Sequence, residues 1–328
     1  MSPAQPRAPI RYRVMHETLY TYAAPVSQSH QLLHLTPRDL PWQVVHGHSI
    51  TVDPQPDAYS RGEDYFGNPT SHMLLVAPHR SLWVHAQSEL EIAPRDLSAL
   101  SEAAALPAWD ALRTQLRAPL ALADAAAGAD GRRGAVEFLY ESPYVRFGAE
   151  LSAYAAPSFP PARPVAEAAL ALMHRIHEDF EFDSTATSVA TPLAEVLEAR
   201  RGVCQDFAHL MVGCLRSQGL AARYVSGYIL TTPPPGMPRL IGADASHAWV
   251  SVWCGPQAGW LDLDPTNDSV VDQEHVTLGW GRDFGDVTPM RGVILGGGEQ
   301  ELSVRVTVMP AHELSAHPAM SGDRIGPT

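Results

Sequence analysis

The chain has 328 residues, of which 45% are hydrophobic, and a formal net charge of −13, so it is long enough for two domains of ordinary size. Its scattered carboxylates argue against nucleic acid or an anionic membrane surface as the main partner. Three widely spaced cysteines, without a Cys-x-x-Cys pair, argue against a disulfide framework or a metal clip. The first nine residues hold no apolar leader, and no run approaches the ~20 apolar residues of a membrane span. We therefore expect a cytoplasmic protein with no membrane partner.

The first part of the chain reads as an antiparallel β domain, a sandwich or a barrel, over residues 10–93. Its alternating segments are Arg11 to Tyr22, Gln31 to Leu35, Ser49 to Val52 and Ser81 to Ile92. An alanine-rich stretch follows at 94–160, which predicts a partly helical connector. Residues 161–310 are expected to form the catalytic core, and 311–328 a C-terminal tail.

The core pattern consists of helices followed by strands. Helices are predicted at Pro164 to Asp179 and Pro192 to Ala199, the second with Thr191 as N-cap and Pro192 at the first helical position. Strands are predicted near Ala221 to Leu230, His247 to Cys254, Trp260 to Leu263 and Leu302 to Val308. Helices that lead into an antiparallel sheet predict an α+β fold.

A cysteine stands where a turn meets a helix. Gly202 ends one helical pattern, and a second runs from Cys204 to Gly219 with apolar residues at three- and four-residue steps. A thiol in the first turn of a helix meets the positive end of the helix dipole and several unpaired N–H groups. Both favour the thiolate, which is the nucleophilic form of cysteine. Cys204 is therefore the candidate nucleophile.

Such a nucleophile needs a base and a group that orients the base. A half-buried strand pattern begins near His247, and a short strand that starts at Trp260 is stopped by Pro265. Turn residues join the two, so a hairpin would bring a histidine on one strand beside an aspartate on the next. Alternation leaves Asp262 and Asp264 both open as the third residue, because they share a strand face.

Several motifs together carry a resemblance to the bacterial transglutaminase-like family of papain-like cysteine enzymes. In the core they are Gly202-Val-Cys-Gln-Asp-Phe-Ala-His209, Ala221 to Tyr228, His247-Ala-Trp249 and Asp264-Pro-Thr-Asn267. Outside it, Tyr12 to Tyr22, Leu35 to Arg38 and Asp64 to Asn68 are similar to the N-terminal β domain fused to these cores, and Gly281 to Val287 with Arg291 to Val293 also fits. The resemblance implies a papain-like core of helices packed on an antiparallel sheet, preceded by the β domain.

The resemblance also implies a chemistry, like that of a protein-glutamine gamma-glutamyltransferase. Cys204 would attack a glutaminyl or peptide amide and form a thioester, and His247 would carry the proton. Asp264, favoured over Asp262 by the Asp-Pro-Thr-Asn motif, would orient the imidazole. A protein or peptide substrate is implied, with no cofactor, and no acidic loop has calcium-ligand spacing.

Three functions remain open from the sequence. The thioester could pass to an amine, or it could pass only to water, as in a cysteine peptidase or amidase. A binding protein that retains the fold without catalysis is the third. We expect Gln205, Asp206 and Trp249 to border the substrate cleft, and Cys214 and Cys254 to be packing residues. The histidines of the N-terminal part have no compact metal-ligand spacing, so no metal site is predicted.

Overall fold

In the computed structural model the chain is described at residues 7–96, 106–119, 131–186, 191–231 and 246–316. The strands are β1 (Ile10–Leu33), β2 (Gln43–Asp53), β3 (Ala58–Glu63), β4 (Pro69–Leu75), β5 (His79–Ile92), β6 (Glu181–Phe182), β7 (Arg201–Gly202), β8 (Ala222–Ile229), β9 (Ser246–Trp253), β10 (Trp260–Asp264), β11 (Ser269–Val270), β12 (His275–Gly281), β13 (Met290–Gly296) and β14 (Gln300–Pro310). The α-helices are α1 (Trp109–Arg117), α2 (Arg132–Val136), α3 (Ala149–Ala155), α4 (Val165–Asp179), α5 (Leu193–Ala199) and α6 (Cys204–Ser217).

The N-terminal sheet is antiparallel and curled, and its longest strand, β1, changes register partway along. Its order is β2-β5-β1-β4-β3, and β13 and β14 also pair with β1. β1 changes register between Thr21 and Val26, and its neighbours change near the same place. The first part of β1 pairs with β5 on one edge and β14 on the other, and its last part pairs with β4 and β13. The curl encloses a core that includes Val26, Leu75 and Leu82. The predicted antiparallel β domain is thus confirmed as a curled sheet.

One strand prediction needs correction. Leu302 to Val308 was expected in the catalytic core, but β14 pairs with β1 along Tyr12–Tyr22, in the N-terminal sheet. Val306 and Val308 there join a buried cluster with Tyr12 and Val14. Alternation in a sequence identifies a half-buried strand, but it does not identify the sheet that the strand joins. The chain therefore returns to its first sheet after it has built the second.

The second sheet has the order β11-β10-β9-β8-β12, and all of its neighbours are antiparallel. Helix α6 packs on one face of it, where Leu210 and Leu215 share a core with Val250 and Val252. The predicted α+β class and the helix-on-sheet core are confirmed. The predicted N-cap at Thr191 is wrong, since Pro192 is the N-cap and α5 begins at Leu193.

Two buried side-chain amides join the N-terminal sheet to β12. The Gln43 amide donates to the Thr277 carbonyl at 2.8 Å and accepts from the Thr277 N–H at 2.9 Å. Asn68 does the same with Trp280, at 2.8 and 3.0 Å. Both amides are fully buried. Since β12 is the last strand of its sheet, these amides satisfy backbone groups that a neighbouring strand would otherwise pair.

The predicted connector at 94–160 contains α1, α2 and α3, while its residues 97–105 and 120–130 lie outside the described residues. Of the predicted tail, residues 317–328 also lie outside them. Among the helices of the described segments, none is long and apolar enough to cross a membrane.

Candidate active site

The candidate nucleophile occupies the first position of α6. Val203 is the extended N-cap, and the Asp206 carboxylate accepts from its N–H at 2.8 Å. This approach is close enough that a Cβ on Gly202 would lie 2.7 Å from the Asp206 carboxylate, so a larger residue there would displace the cap. Cys204 itself is partly exposed. The thiol therefore stands at the positive end of a capped helix, open to a reactant.

The candidate base and its partner meet across the β9–β10 hairpin, whose register sets Asp262 opposite Ser251. The Nε2–H of His247 donates to Oδ2 of Asp264 over 2.7 Å. The His247 side chain also makes a hydrogen bond with Cys204. Because Nε2 serves Asp264, Nδ1 is the ring nitrogen left for the thiol. The three predicted residues are thus brought together in one connected group.

The surroundings of His247 favour its charged form. Burial alone would lower its pKa, but the hydrogen bonds with Asp264 and Cys204, and the charges of both, raise the pKa from 6.5 to about 10. An imidazolium that persists through neutral pH can stabilise a thiolate beside it and can later give its proton to a leaving group.

The Asp264 carboxylate is completely buried and surrounded by donors. Its Oδ1 accepts from the backbone N–H groups of Thr266 at 2.9 Å and Asn267 at 3.2 Å. Its Oδ2 accepts from His247, from the Asn267 amide at 2.7 Å and from Nε2 of His275 at 3.1 Å. Burial works to raise its pKa, but the hydrogen bonds and charges of the two histidines hold the pKa far below its usual range. The carboxylate is therefore a fixed anion under the imidazole.

The structure separates the two aspartates that alternation left open. Asp262 forms a close ion pair with Arg95, whose guanidinium lies 4.1 Å from the centre of the Trp42 ring. Arg95 and Trp42 come from the N-terminal part of the chain. Asp262 therefore binds across to the N-terminal part, while Asp264 faces His247.

Two of the three expected cleft residues have other positions. Trp249 is 0% exposed and packs with Val225 and Val271, so it supports the site from behind and does not border a cleft. Asp206 is buried and caps α6, because a carboxylate is stabilised by the unpaired N–H groups of a helix start. Gln205 is partly exposed, and its cleft role stays a prediction.

The other two cysteines are buried packing residues, as predicted. Cys214 and Cys254 are both buried in the core around α6 and the second sheet. Burial raises the pKa of each thiol to about 12, so both stay protonated at physiological pH.

Sequence reasoning missed His275 and Asn267, which both donate to Asp264. Asn267 stood in a motif that was singled out, but His275 lies on β12, whose pattern is interrupted by Gly279 and Gly281. The polar–apolar alternation from His275 to Leu278 was the signal available. The ligand atoms of His247, Asp264 and His275 lie within 4.8 Å of one another, a geometry that could also hold a metal ion. Both imidazoles already bond to the carboxylate, and His247 also bonds to Cys204, which favours an electrostatic and orienting role for Asp264 over metal binding.

Comparisons with known proteins identify families that match two parts of the chain. Residues 12–91 match the bacterial transglutaminase-like N-terminal region, and residues 153–265 match the transglutaminase-like superfamily. An uncharacterized protein of Mycobacterium tuberculosis is 42% identical over 304 residues, which is 92% of this chain and 93% of that protein. A similar protein of Mycobacterium leprae is 31% identical over 91% of this chain and 98% of its own length.

Two further matches are to a protein of assigned activity and to a solved structure. A protein-glutamine gamma-glutamyltransferase of Pseudomonas aeruginosa is 33% identical over 108 residues, or 32% of this chain and 16% of that protein. A crystal structure from Cytophaga hutchinsonii, provisionally assigned as a cysteine protease, superposes with a TM-score of 0.70 at 18% identity, over 93% of this chain and 92% of that one. At that identity the likeness shows a shared fold.

Proposed function

Since the chain belongs to the transglutaminase-like superfamily and carries its bacterial N-terminal region, we propose that it is a cysteine acyltransferase acting on the amide of a protein or peptide. The observation that carries this proposal is the double engagement of His247, which bonds to Cys204 on one side and to the buried Asp264, 2.7 Å away, on the other. Nucleophile, base and orienting group in that order are the arrangement that thiol-based acyl transfer needs.

In the first half-reaction, the Cys204 thiolate attacks the amide carbonyl carbon and a tetrahedral oxyanion forms. The carbon–nitrogen bond then breaks, His247 gives its proton to the departing amine, and a thioester on Cys204 remains. Asp264 keeps the imidazole in the tautomer that bears a proton on Nε2, so that Nδ1 faces the thiol. Fixed orientation of this kind replaces solvent reorganisation during the reaction.

The oxyanion needs hydrogen-bond donors at the point where charge develops. The Cys204 N–H lies at the first position of α6, where helix geometry offers no carbonyl partner. We assign this N–H as one donor. Loss of a single such donor costs on the order of 10²–10³ in turnover in other acyl-transfer enzymes.

In the second half-reaction an amine or water attacks the thioester. His247, now neutral, takes the proton of the attacking group, the bond from carbon to sulfur breaks, and the Cys204 thiolate is restored. An amine gives a new amide, as in a transglutaminase, and water gives a carboxylic acid, as in a peptidase or amidase. The sequence match over 108 residues to a protein-glutamine gamma-glutamyltransferase favours the amine, and hydrolysis alone is the second candidate.

The deciding experiment incubates the purified protein with a glutamine-containing peptide, with and without an excess of a primary amine, and measures the products by mass spectrometry. We expect the amine-coupled peptide in the first sample and the glutamate-containing peptide in the second. Formation of glutamate peptide in both would assign a hydrolase. No change in the peptide in either sample, together with the same result on a set of peptide amides, would contradict the proposed activity.

A non-catalytic protein that retains the fold is tested separately, with an iodoacetamide probe on the native protein. The proposal expects rapid labelling at Cys204, since it is partly exposed beside His247, and none at the buried Cys214 or Cys254. Slow labelling of Cys204, at the rate of a free thiol in a peptide, would favour the binding protein.

A further inference from the structure

A second histidine bonds to the same carboxylate oxygen as His247. Nε2 of His275 lies 3.1 Å from Oδ2 of Asp264, and His275 is 5% exposed. Its ring stands edge-on to Trp249, with ring centres 5.2 Å apart, and lies 6.0 Å from the His247 ring. The imidazole is therefore held by its packing against Trp249 and by its hydrogen bond to the carboxylate.

The geometry fixes the tautomer of this ring. An ionised carboxylate only accepts hydrogen bonds, so Nε2 of His275 must carry the proton that it donates to Asp264. Among the described residues, Nδ1 of His275 has no hydrogen-bond partner, although it is buried. A buried ring nitrogen without a hydrogen-bond partner lowers the stability of the fold, and the hydrogen bond with Asp264 offsets this loss.

We propose that His275 is a positioning residue of the candidate site, which takes a share of the Asp264 charge and so limits how strongly His247 holds its proton. This rests on the proposed function, in which His247 must both keep a proton beside the thiolate and release it to the leaving amine. Oδ2 has three side-chain donors, His247, Asn267 and His275. Each donor reduces the negative charge that the other two experience.

Asp264 would stay in place without His275. Its Oδ1 is held by two backbone N–H groups and its Oδ2 by the Asn267 amide at 2.7 Å, all from the turn that follows β10. Removal of His275 therefore leaves the carboxylate where it is and returns its charge to His247. The effect of His275 on His247 is therefore electrostatic, and removal of His275 should make His247 hold its proton more strongly.

The other charged groups around this point are few within the described segments. Cys204 faces the far side of the His247 ring. Helix α4 brings His177 to the Thr266 carbonyl, at 3.0 Å, and His174 to the Asp268 carboxylate, both on the turn after β10. Asp262 is occupied by Arg95. None of these replaces a donor to Oδ2.

The test follows the titration of His247 by ¹⁵N NMR of the imidazole ring, with the His247 signals identified by their loss in His247→Ala. His275→Phe keeps a ring against Trp249 but removes the donor, and His275→Gln keeps an amide N–H that can donate to Asp264. We expect the midpoint of His247 to rise by roughly half a pH unit in His275→Phe and to stay at the wild-type value in His275→Gln. His275→Leu serves as a second variant without a donor if the phenylalanine is not accommodated.

An unchanged midpoint in the variants without a donor would overturn the proposal, and so would a fall. A shift in His275→Gln equal to that in His275→Phe would overturn it too. Glutamine keeps a hydrogen-bond donor, so an equal shift would mean that the lost donor is not the cause. The titration needs no substrate. A protein that fails to act on peptide amides would contradict the proposed function and leave this result intact.

Discussion

Gln43 pairs with both the N–H and the carbonyl of Thr277, at 2.9 and 2.8 Å, although 234 positions separate the two residues in the chain. The amide thus acts as one residue of an added strand on the edge of β12. Two positions before Thr277, the same strand carries His275, which bonds to Asp264. The N-terminal sheet is therefore connected to the candidate active site through a short and specific route.

We predict that Gln43→Leu lowers activity as well as stability. The leucine would leave the Thr277 backbone groups buried without partners, at a cost of about 1–3 kcal/mol each at most, and β12 would lose a fixed edge. Gln31→Leu is the matched control, since Gln31 is buried and its amide bonds to Ser29, within the N-terminal sheet. Unfolding in urea and turnover would be measured for both. Equal loss of activity at equal loss of stability would contradict the specific route.

The two thiols on α6 should respond differently to removal. Cys204→Ala should abolish turnover and leave the unfolding midpoint near the wild-type value, because the side chain is partly exposed. Cys214→Ala should keep turnover and lower the free energy of unfolding by about 1 kcal/mol, since it removes a buried sulfur from the core. Turnover and chemical denaturation of both variants provide the measurement, and activity in Cys204→Ala would refute the assignment of the nucleophile.

Asp264→Asn should impair turnover far more than Asp262→Asn. The first change replaces the carboxylate that holds His247 with a neutral amide. The equivalent change in a serine triad costs about 10⁴ in turnover. A thiolate–imidazolium pair depends less on the carboxylate, so we expect a smaller loss that is still large. The second change affects only the ion pair with Arg95. Steady-state kinetics on both would decide, and a normal rate in Asp264→Asn would contradict the role of Asp264.

The alkaline limb of activity should follow His247. Its pKa is raised to about 10, so the imidazolium persists at neutral pH and is lost as the pH rises through about 10. Turnover should fall over that range, and the limb should move to lower pH in Asp264→Asn. The raised pKa of His247 also stabilises the folded protein. This contribution to the free energy of unfolding is complete below pH 6.5, the pKa in the unfolded chain, and is lost as the pH rises toward 10. A pH profile of kcat/KM, with unfolding measured in parallel, checks both.

Acid should destabilise the fold partly through His209. Burial, assisted by the charge of Arg216, lowers its pKa to about 3, and its Nε2 accepts from the Phe284 N–H at 3.0 Å. The unfolded chain takes up this proton near pH 6.5 and the folded chain resists it, so stability falls as the pH drops from 6.5 toward 3. In His209→Gln, which can still accept from Phe284, the free energy of unfolding should depend less steeply on pH over that range. An unchanged slope would be inconsistent with a buried neutral ring.

The elements of the candidate site follow from local pattern. Turn residues and helical periodicity locate the start of α6 at Cys204, and alternation with a stopping proline locates the hairpin that brings His247 and Asp264 together. These signals are short in range, and they agree because capping, periodicity and turn chemistry all act on neighbouring residues.

The parts that the sequence does not reveal depend on distant partners. Strand alternation does not separate Asp262 from Asp264, and the contacts that do are the ion pair of Asp262 with Arg95 and the hydrogen bond of Asp264 with His247. Trp249 has the alternation of a residue on an open face, but Val225 and Val271 pack against it and leave it 0% exposed. β14 has the pattern of a strand in either sheet. In each case the deciding contact joins residues far apart in the sequence.

The return of β14 to β1 also sets when the molecule can be completed. Tyr12 pairs with Pro310, so one edge of β1 stays uncovered until β14 has been synthesised. During synthesis, β1 through β5 leave the ribosome long before β13 and β14 do, with one edge of β1 unpaired in the meantime. Exposed edges of this kind invite pairing with other chains, and contacts of long sequence separation form late. A nascent copy therefore remains open to such pairing until β13 and β14 have been synthesised, well after Cys204 has appeared.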